Sequence, residues 1–589
     1  MKKFWSNVLA TVVGIIFLNI IAFSFLLITI LALAPKDKKV TTKPNSILYI
    51  TLDKTITERT TDNPFENINF QTFENEKNLG LNDILKDIKK AAKDENIKGI
   101  YLELSGIDAG IATVEAIRNE LLKFKESKKF IISYSDTYSQ IAYYLATVSD
   151  KIYINPQGYI DYKGLRSEIM FYKGALEKLG IEPQVIRHGK FKSAIEPFIL
   201  DKMSDANRLQ ISTFVGSIWN HVLKGISKQR NISIENLNYY ADSMLIKNAN
   251  KALEYKMVDG IKYKDEIIDE LKKLSGINSK KDLNLISLNE YNNNSGHIKL
   301  SKMFSKNKIA VIYANGQIDM GDGDEKTIGS DGLSKIIRKV RLDSSYKAIV
   351  LRINSPGGSA LASEIIWREV YLANQVKPVI VSMGDLAASG GYYIASPATV
   401  IVAEPNTITG SIGVFGLLWN AKKLFNDKLG ITFDGYSTNA NSDLGSVYRP
   451  MRASERAVIQ EMIENIYDVF ITHVADGRKM TKAQVDSIGQ GRVWSGINAK
   501  EIGLVDEIGG IEKAIDIAKT KANLKDYKVV QLPVQEEFIQ KLIKSLKEEV
   551  KIYVIKESLG ETYIYYNNLQ KLLNIKGVQA RMPFEIELY

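Results

Sequence analysis

The 589-residue chain contains no cysteine. Thiol catalysis, disulfide bridges and cysteine-ligated metal sites are thereby excluded, and an exported location is permitted but not required. Histidine is nearly as scarce: only His188, His221, His297 and His473 occur. None falls in a spacing that suggests a Ser-His-Asp arrangement. No metal-ligand cluster and no phosphate-binding glycine loop is visible, so no cofactor is implied. The chain also lacks a concentrated basic stripe. Its net charge of +10, from 78 basic and 68 acidic residues, is spread over mixed-sign segments, which argues against nucleic-acid binding. At 45% hydrophobic and 25% charged, the composition is that of a globular chain long enough for two or more domains.

One apolar run stands apart. No charge lies between Lys3 and Lys36, and Val8 to Ala34 is almost continuously apolar. As a helix this run would extend roughly 40 Å, more than a bilayer core of about 30 Å. Ala32-Leu33-Ala34 has the small-x-small form of a cleavage site, but the run is too long for a signal h-region and Pro35 follows directly. We therefore expect an uncleaved anchor. Its flanking charges are nearly balanced, with Lys2 and Lys3 before it and Lys36, Asp37, Lys38 and Lys39 after it.

Beyond Thr41 the pattern alternates. Apolar strands at 46–52, 97–104, 130–133 and 151–154 are separated by helical periodicity at 81–93, 111–125 and 139–147. Such alternation implies βαβ units and a mainly parallel sheet. Helical patterns recur at about 171–179 and 205–228. A polar stretch from Ser287 to Asn307, centred on Tyr291-Asn-Asn-Asn-Ser-Gly296, is the best linker. After it the pattern repeats: IAVIYANGQI from Ile309 echoes SILYITLDKT from Ser46, and DLAASGGYYIA from Asp385 echoes DTYSQIAYYLA from Asp136. A repeat of this length means two copies of one domain. The expected organisation is an anchor and linker (1–40), a first repeat (41–295) and a second repeat (296–589).

The copies differ where chemistry would sit. Ser389 lies in a run of small residues where an apolar strand turns into a helix, which reads either as a tight turn made small for packing alone or as a nucleophile's place, its hydroxyl accessible and backbone amides aimed at any oxyanion formed there. Its first-repeat counterpart is Gln140. Pro356-Gly357-Gly358, whose glycines let amides approach a carbonyl, is matched by Ile107-Asp108-Ala109. Conversely, Lys192 of the first repeat faces Asn441 or Ser442 in the alignment. Each half has kept a different part of one site. Asp385 invites a triad reading, but Asp136 persists in the copy that lacks the serine, which marks it as structural.

Four motifs in order, FKSAIEPF, INSPGGS, AASGGYY and TGSIG, carry a resemblance to signal peptide peptidase A (protease IV, peptidase family S49) in its long, two-repeat form. The resemblance runs from about residue 46 to the C-terminal RMPFEIEL. It implies two tandem ClpP/crotonase-like α/β domains after an N-terminal transmembrane helix. It also implies a serine endopeptidase with Ser389 as nucleophile and Lys192 as general base. Ser411 would help hold the lysine, its plainer reading being a helix cap or turn residue. The backbone amides of Gly358 and Gly390 would form the oxyanion hole, with Gly357 the near alternative. A lysine can act as base only if it is neutral near pH 7, which burial in an apolar pocket can achieve.

By the same resemblance, the substrates are cleaved signal peptides and other apolar peptides at the cytoplasmic membrane. The chain crosses that membrane once, its catalytic part lies on the outer side, and it assembles as a homo-oligomer, a tetramer. Two rival readings remain at this stage: a catalytically silent oligomeric scaffold of the same fold, and a crotonase-type acyl-CoA enzyme. The serine, lysine and glycine motifs speak against the first. The anchor and the nucleophilic serine speak against the second.

Overall fold

The computed structural model describes residues 41–60, 78–293, 305–535 and 578–582, together with a few helical positions between 11 and 21. The expected membrane span, Val8 to Ala34, thus lies largely outside the described residues. Among the described residues no helix is long and apolar enough to cross a membrane.

Two mainly parallel sheets repeat one strand order. In the first, Gly260–Ile261, Lys151–Ile160, Phe130–Tyr138, Ile97–Glu103, Ser46–Ile50 and Leu285–Ser287 lie side by side, all parallel. In the second, Glu507–Ile508, Val400–Ala403, Val379–Ala388, Tyr346–Ser355, Lys308–Asn315 and Lys528–Leu532 follow the same order, again parallel. Their strands are near-continuous apolar runs because both faces are covered by helices. Val379, Ile380, Val381 and Met383, for example, are at most 1% exposed.

Strands run on further than periodicity indicates. The strand expected at 130–133 continues to Tyr138, and that at 151–154 to Ile160. Thr137 and Tyr138 pair with Tyr159 and Ile160 beyond a register shift. The expected linker is also shorter than its polarity suggests. Leu285–Ser287 completes the first sheet, and Ser287 caps a short helix, Leu288–Asn292, through a capping box with Glu290. Tyr291 is fully buried, with Lys90 over its ring and its hydroxyl on Asp94. Residues 294–304 lie outside the described residues.

A third, mixed sheet joins the halves. It runs Thr327–Gly329, Gln317–Asp319, Gly357–Ser359, Val578–Arg581, Phe415–Asn420 and Glu182–Arg187. The last two are antiparallel over six residue pairs, although one strand comes from each half of the chain. A buried ion pair adds a second tie: Arg352, 2% exposed, binds Glu58 through two 2.9 Å bonds. Asp385 makes a third, accepting from the Thr113 backbone N–H (2.9 Å) and hydroxyl (2.6 Å). Asp385 therefore braces one half against the other.

Candidate active site

Val379–Ala388 and Ile408–Gly410 are neighbouring parallel strands, with Ala388 opposite Gly410. Parallel strands end at the same edge of a sheet, so the next residues, Ser389 and Ser411, emerge together. Both turn sharply there, with φ of 55° and 50°. A left-handed backbone is uncommon for serine and is held here by neighbours. The Ser389 N–H donates to Gly410 O (2.8 Å), and the Ser411 N–H donates to Arg492 O (2.6 Å). Ser389 stands at the N-cap of the helix Gly390–Ala395, yet its side chain makes no capping bond. The hydroxyl is left for something else.

That something is Lys192. Its Nζ lies 2.8 Å from Ser389 Oγ, 3.0 Å from Ser411 Oγ and 3.1 Å from Ser411 O. All three side chains are fully buried. Burial alone pushes the Lys192 ammonium well below its ordinary value of 10.5. A neutral amine has two N–H donors and one lone pair. Donation to the two Ser411 oxygens leaves the lone pair for the Ser389 hydroxyl. Chemically, the arrangement can take a proton from Ser389.

The expected oxyanion donors lie beside it. Gly390 opens its helix, where the first amides have no intrahelical acceptor. Gly357–Ser359 pairs antiparallel with Val578–Arg581, Gly358 facing Ala580. Met582 N–H donates to Pro356 O (2.7 Å), which makes Gly358 and Ala580 the next hydrogen-bonded pair and turns the Ala580 carbonyl toward Gly358 N–H. The same oxygen would lie only 3.0 Å from a Cβ on Gly390 and 2.2 Å from one on Gly357. Gly357, at φ 91°, tolerates this approach because it has no side chain. Its own amide donates to Ser355 Oγ (3.1 Å), which leaves Gly358 the better-placed donor of the two. An extended backbone carbonyl is thus already received between the two glycine segments.

Counterpart positions in the first half serve structure. Gln140, opposite Ser389 in the repeat, accepts from the Lys163 and Gly164 amides and donates to Gly164 O. Asn441 and Ser442, opposite Lys192, are exposed in a turn. The described histidines are engaged elsewhere: His188 stacks on Tyr467, His221 faces Glu115, and His473 lies against Trp367 and Glu364. His297 is outside the described residues. Two contributors escaped the sequence reading. The segment 490–493 folds over Lys192, and the strand Val578–Arg581 fills the groove between Gly357–Ser359 and Phe415–Asn420. The glycines of Gly489-Gln490-Gly491 were the only signal for the first, and four residues near the C-terminus gave none for the second.

Fold and site together define an α/β protein whose two halves bring a serine and a buried lysine into contact. The family model described as peptidase family S49 matches residues 123–278 and 372–525. The chain is 35% identical over 537 residues to Protease 4 of Haemophilus influenzae, covering 88% of this chain and 86% of that one. It is 35% identical over 514 residues to the chloroplastic serine protease SPPA of Arabidopsis thaliana, covering 86% and 74%. Among solved structures, a serine-to-alanine mutant of the 1510-N membrane-bound stomatin-specific protease matches with a TM-score of 0.26 and 17% identity, over 39% of this chain and 100% of that one. The chain belongs to peptidase family S49 and is a serine peptidase.

Proposed function

We propose that this chain is a membrane-anchored endopeptidase working through a Ser389–Lys192 dyad, on two tandem ClpP/crotonase-like units. One observation carries the reading: a fully buried Lys192 Nζ, with no charge partner among the described residues to hold its proton, 2.8 Å from Ser389 Oγ. Ser389 Oγ attacks the substrate carbonyl while Lys192 Nζ takes its proton. The oxyanion forms where the Ala580 carbonyl now points, facing the amides of Gly358 and Gly390. Lys192 then returns the proton to the leaving amine, and a water repeats the cycle on the acyl-enzyme.

The substrate enters as an extended strand along Gly357–Ser359 and Phe415–Asn420, the place held here by Val578–Arg581. Backbone pairing of this kind suits unfolded, apolar peptides, and cleaved signal peptides left in the membrane are the proposed substrates. The anchor at Val8 to Ala34 holds the enzyme at that membrane, with the catalytic part outside and the chains assembled as a homotetramer.

The test uses the full chain in detergent with a quenched fluorescent peptide carrying a signal-peptide sequence. Ser389→Ala and Lys192→Arg are each expected to lose at least about 10³-fold in kcat, the arginine because it cannot deprotonate. An arginine variant within twofold of the parent would remove Lys192 from the reaction.

A further inference from the structure

Lys192 sits on no regular element. Its φ of −73° and ψ of 76°, with Ser193 N–H on Phe191 O at 2.8 Å, make it the centre of an inverse γ-turn. A three-residue turn is a weak support for a side chain that must stay within hydrogen-bond reach of Ser389. Something else holds it.

The side chain that grips the turn is Gln210, on the helix Asp205–Arg230. It is fully buried. Its Nε2 lies 3.2 Å from Phe191 O and 2.7 Å from Ser193 Oγ, the two flanks of Lys192, and 3.0 Å from Asn207 Oδ1. Three acceptors thus compete for two hydrogens. Its Oε1 accepts from Val493 N–H (3.1 Å). A backbone N–H only donates, so the oxygen of the amide must face Val493 and the nitrogen must face the turn. Val493 pairs with Gly410 across the strands Val493–Ser495 and Ile408–Gly410, and the preceding Arg492 O holds Ser411 N–H. One amide therefore spans from the flanks of Lys192 to the strand that fixes Ser411.

We propose that Gln210 is the positioning residue of the general base, tying the Lys192 turn to the Ser411 strand across the two repeats. This rests on the dyad reading above. The second repeat supports it by contrast. The helix Ala453–Arg478 matches Asp205–Arg230 cap to cap, Lys479 against Asn231, an offset of 248 (479 − 231). That places Val458, an exposed apolar residue, where Gln210 stands. The half without the lysine lacks the amide. An amide also suits the place electrically, because it supplies donor and acceptor with no charge beside a lysine that must stay neutral. The charged groups around the turn point elsewhere. Glu196 is held by Ser204 and Asn207, Lys190 and Arg492 lie over the Phe191 ring, and Asp486 binds Tyr467.

Two variants of the full chain test this, with Ser389 counted by labelling with a fluorophosphonate. Gln210→Met keeps the shape and removes both polar ends. It should lower kcat per labelled serine by about 10–100-fold, the scale set by small misplacements of a catalytic group, with KM within about threefold. Gln210→Glu places a carboxylate beside the turn and should also move the acidic limb of the kcat/KM profile upward by about one pH unit or more. The proposal is overturned if kcat per labelled serine stays within twofold in both, or if it falls with the limb unmoved in the glutamate variant. Loss of folding in both variants likewise assigns Gln210 to packing alone. Lys192→Arg run in parallel separates the two claims: an active arginine variant sinks the dyad itself, whereas an inactive one beside parental Gln210 variants sinks only the positioning role.

Discussion

At the scale of single residues, the three buried polar groups are not equivalent. In the proposed mechanism Ser389 carries the acyl group in turn and Lys192 moves its proton, whereas Ser411 contributes one hydroxyl and one main-chain oxygen to the lysine. The main-chain bond of 3.1 Å survives Ser411→Ala, so only a single hydrogen bond of about 1 kcal/mol is lost. Steady-state assay should show kcat down roughly 5–10-fold, far less than for the dyad. Lys192 has an opposite effect on stability. Its folded-state value is depressed, so the unfolded chain binds more protons and native stability rises with pH. The penalty is complete below the folded value and is relieved as pH climbs toward 10.5. At pH 7, Lys192→Met should therefore be inactive yet melt above the parent in a thermal scan, and the gap should close by about pH 11. A lower melting temperature at pH 7 would show that the lysine is not strained by burial.

At the scale of elements, the site depends on a close approach between the Lys192 turn and the segment 490–493. A Cβ on Gly491 would lie 2.6 Å from both Lys192 N and Lys192 Cα, and Gly491 already sits at φ 85°. Gly491→Ala should push the turn away from Ser389 and lower kcat by about 10²-fold or more, the cost of roughly an ångström of misplacement. Circular dichroism and melting of the variant should show a folded chain. A parental kcat would show that the turn has slack. This approach also marks the limit of what could be read beforehand. Ser389 and Lys192 stood out in the sequence through small residues at a strand end and an asymmetric repeat, whereas Ser411 was legible only through the resemblance carried by TGSIG. The alternating strands and helices were legible because parallel sheets demand apolar runs. Gln210 was not, since on a 26-residue helix it looks like any other polar position. The pairing of Glu182–Arg187 with Phe415–Asn420 was hidden for another reason. It joins strands more than 200 residues apart in chain, and nothing local records such a partner.

At the scale of the whole molecule, the two halves bring Lys192 and Ser389 together within a single chain, which the proposed mechanism makes one catalytic centre. Mixing full-length Ser389→Ala with full-length Lys192→Met should restore no peptide hydrolysis, because each chain would still lack one member of its own pair. Recovery approaching a quarter of parental activity would mean that lysine and serine meet between neighbouring copies. The separation of 197 residues between Lys192 and Ser389 also has a consequence in time. At about 5–20 residues per second, a ribosome needs roughly 10–40 s to pass from the codon for the base to that for the nucleophile. Throughout that interval the growing chain carries a base with nothing to activate. On the proposed dyad the chain is therefore inert throughout that interval, while the segments of its first half that have not yet folded are open to cutting.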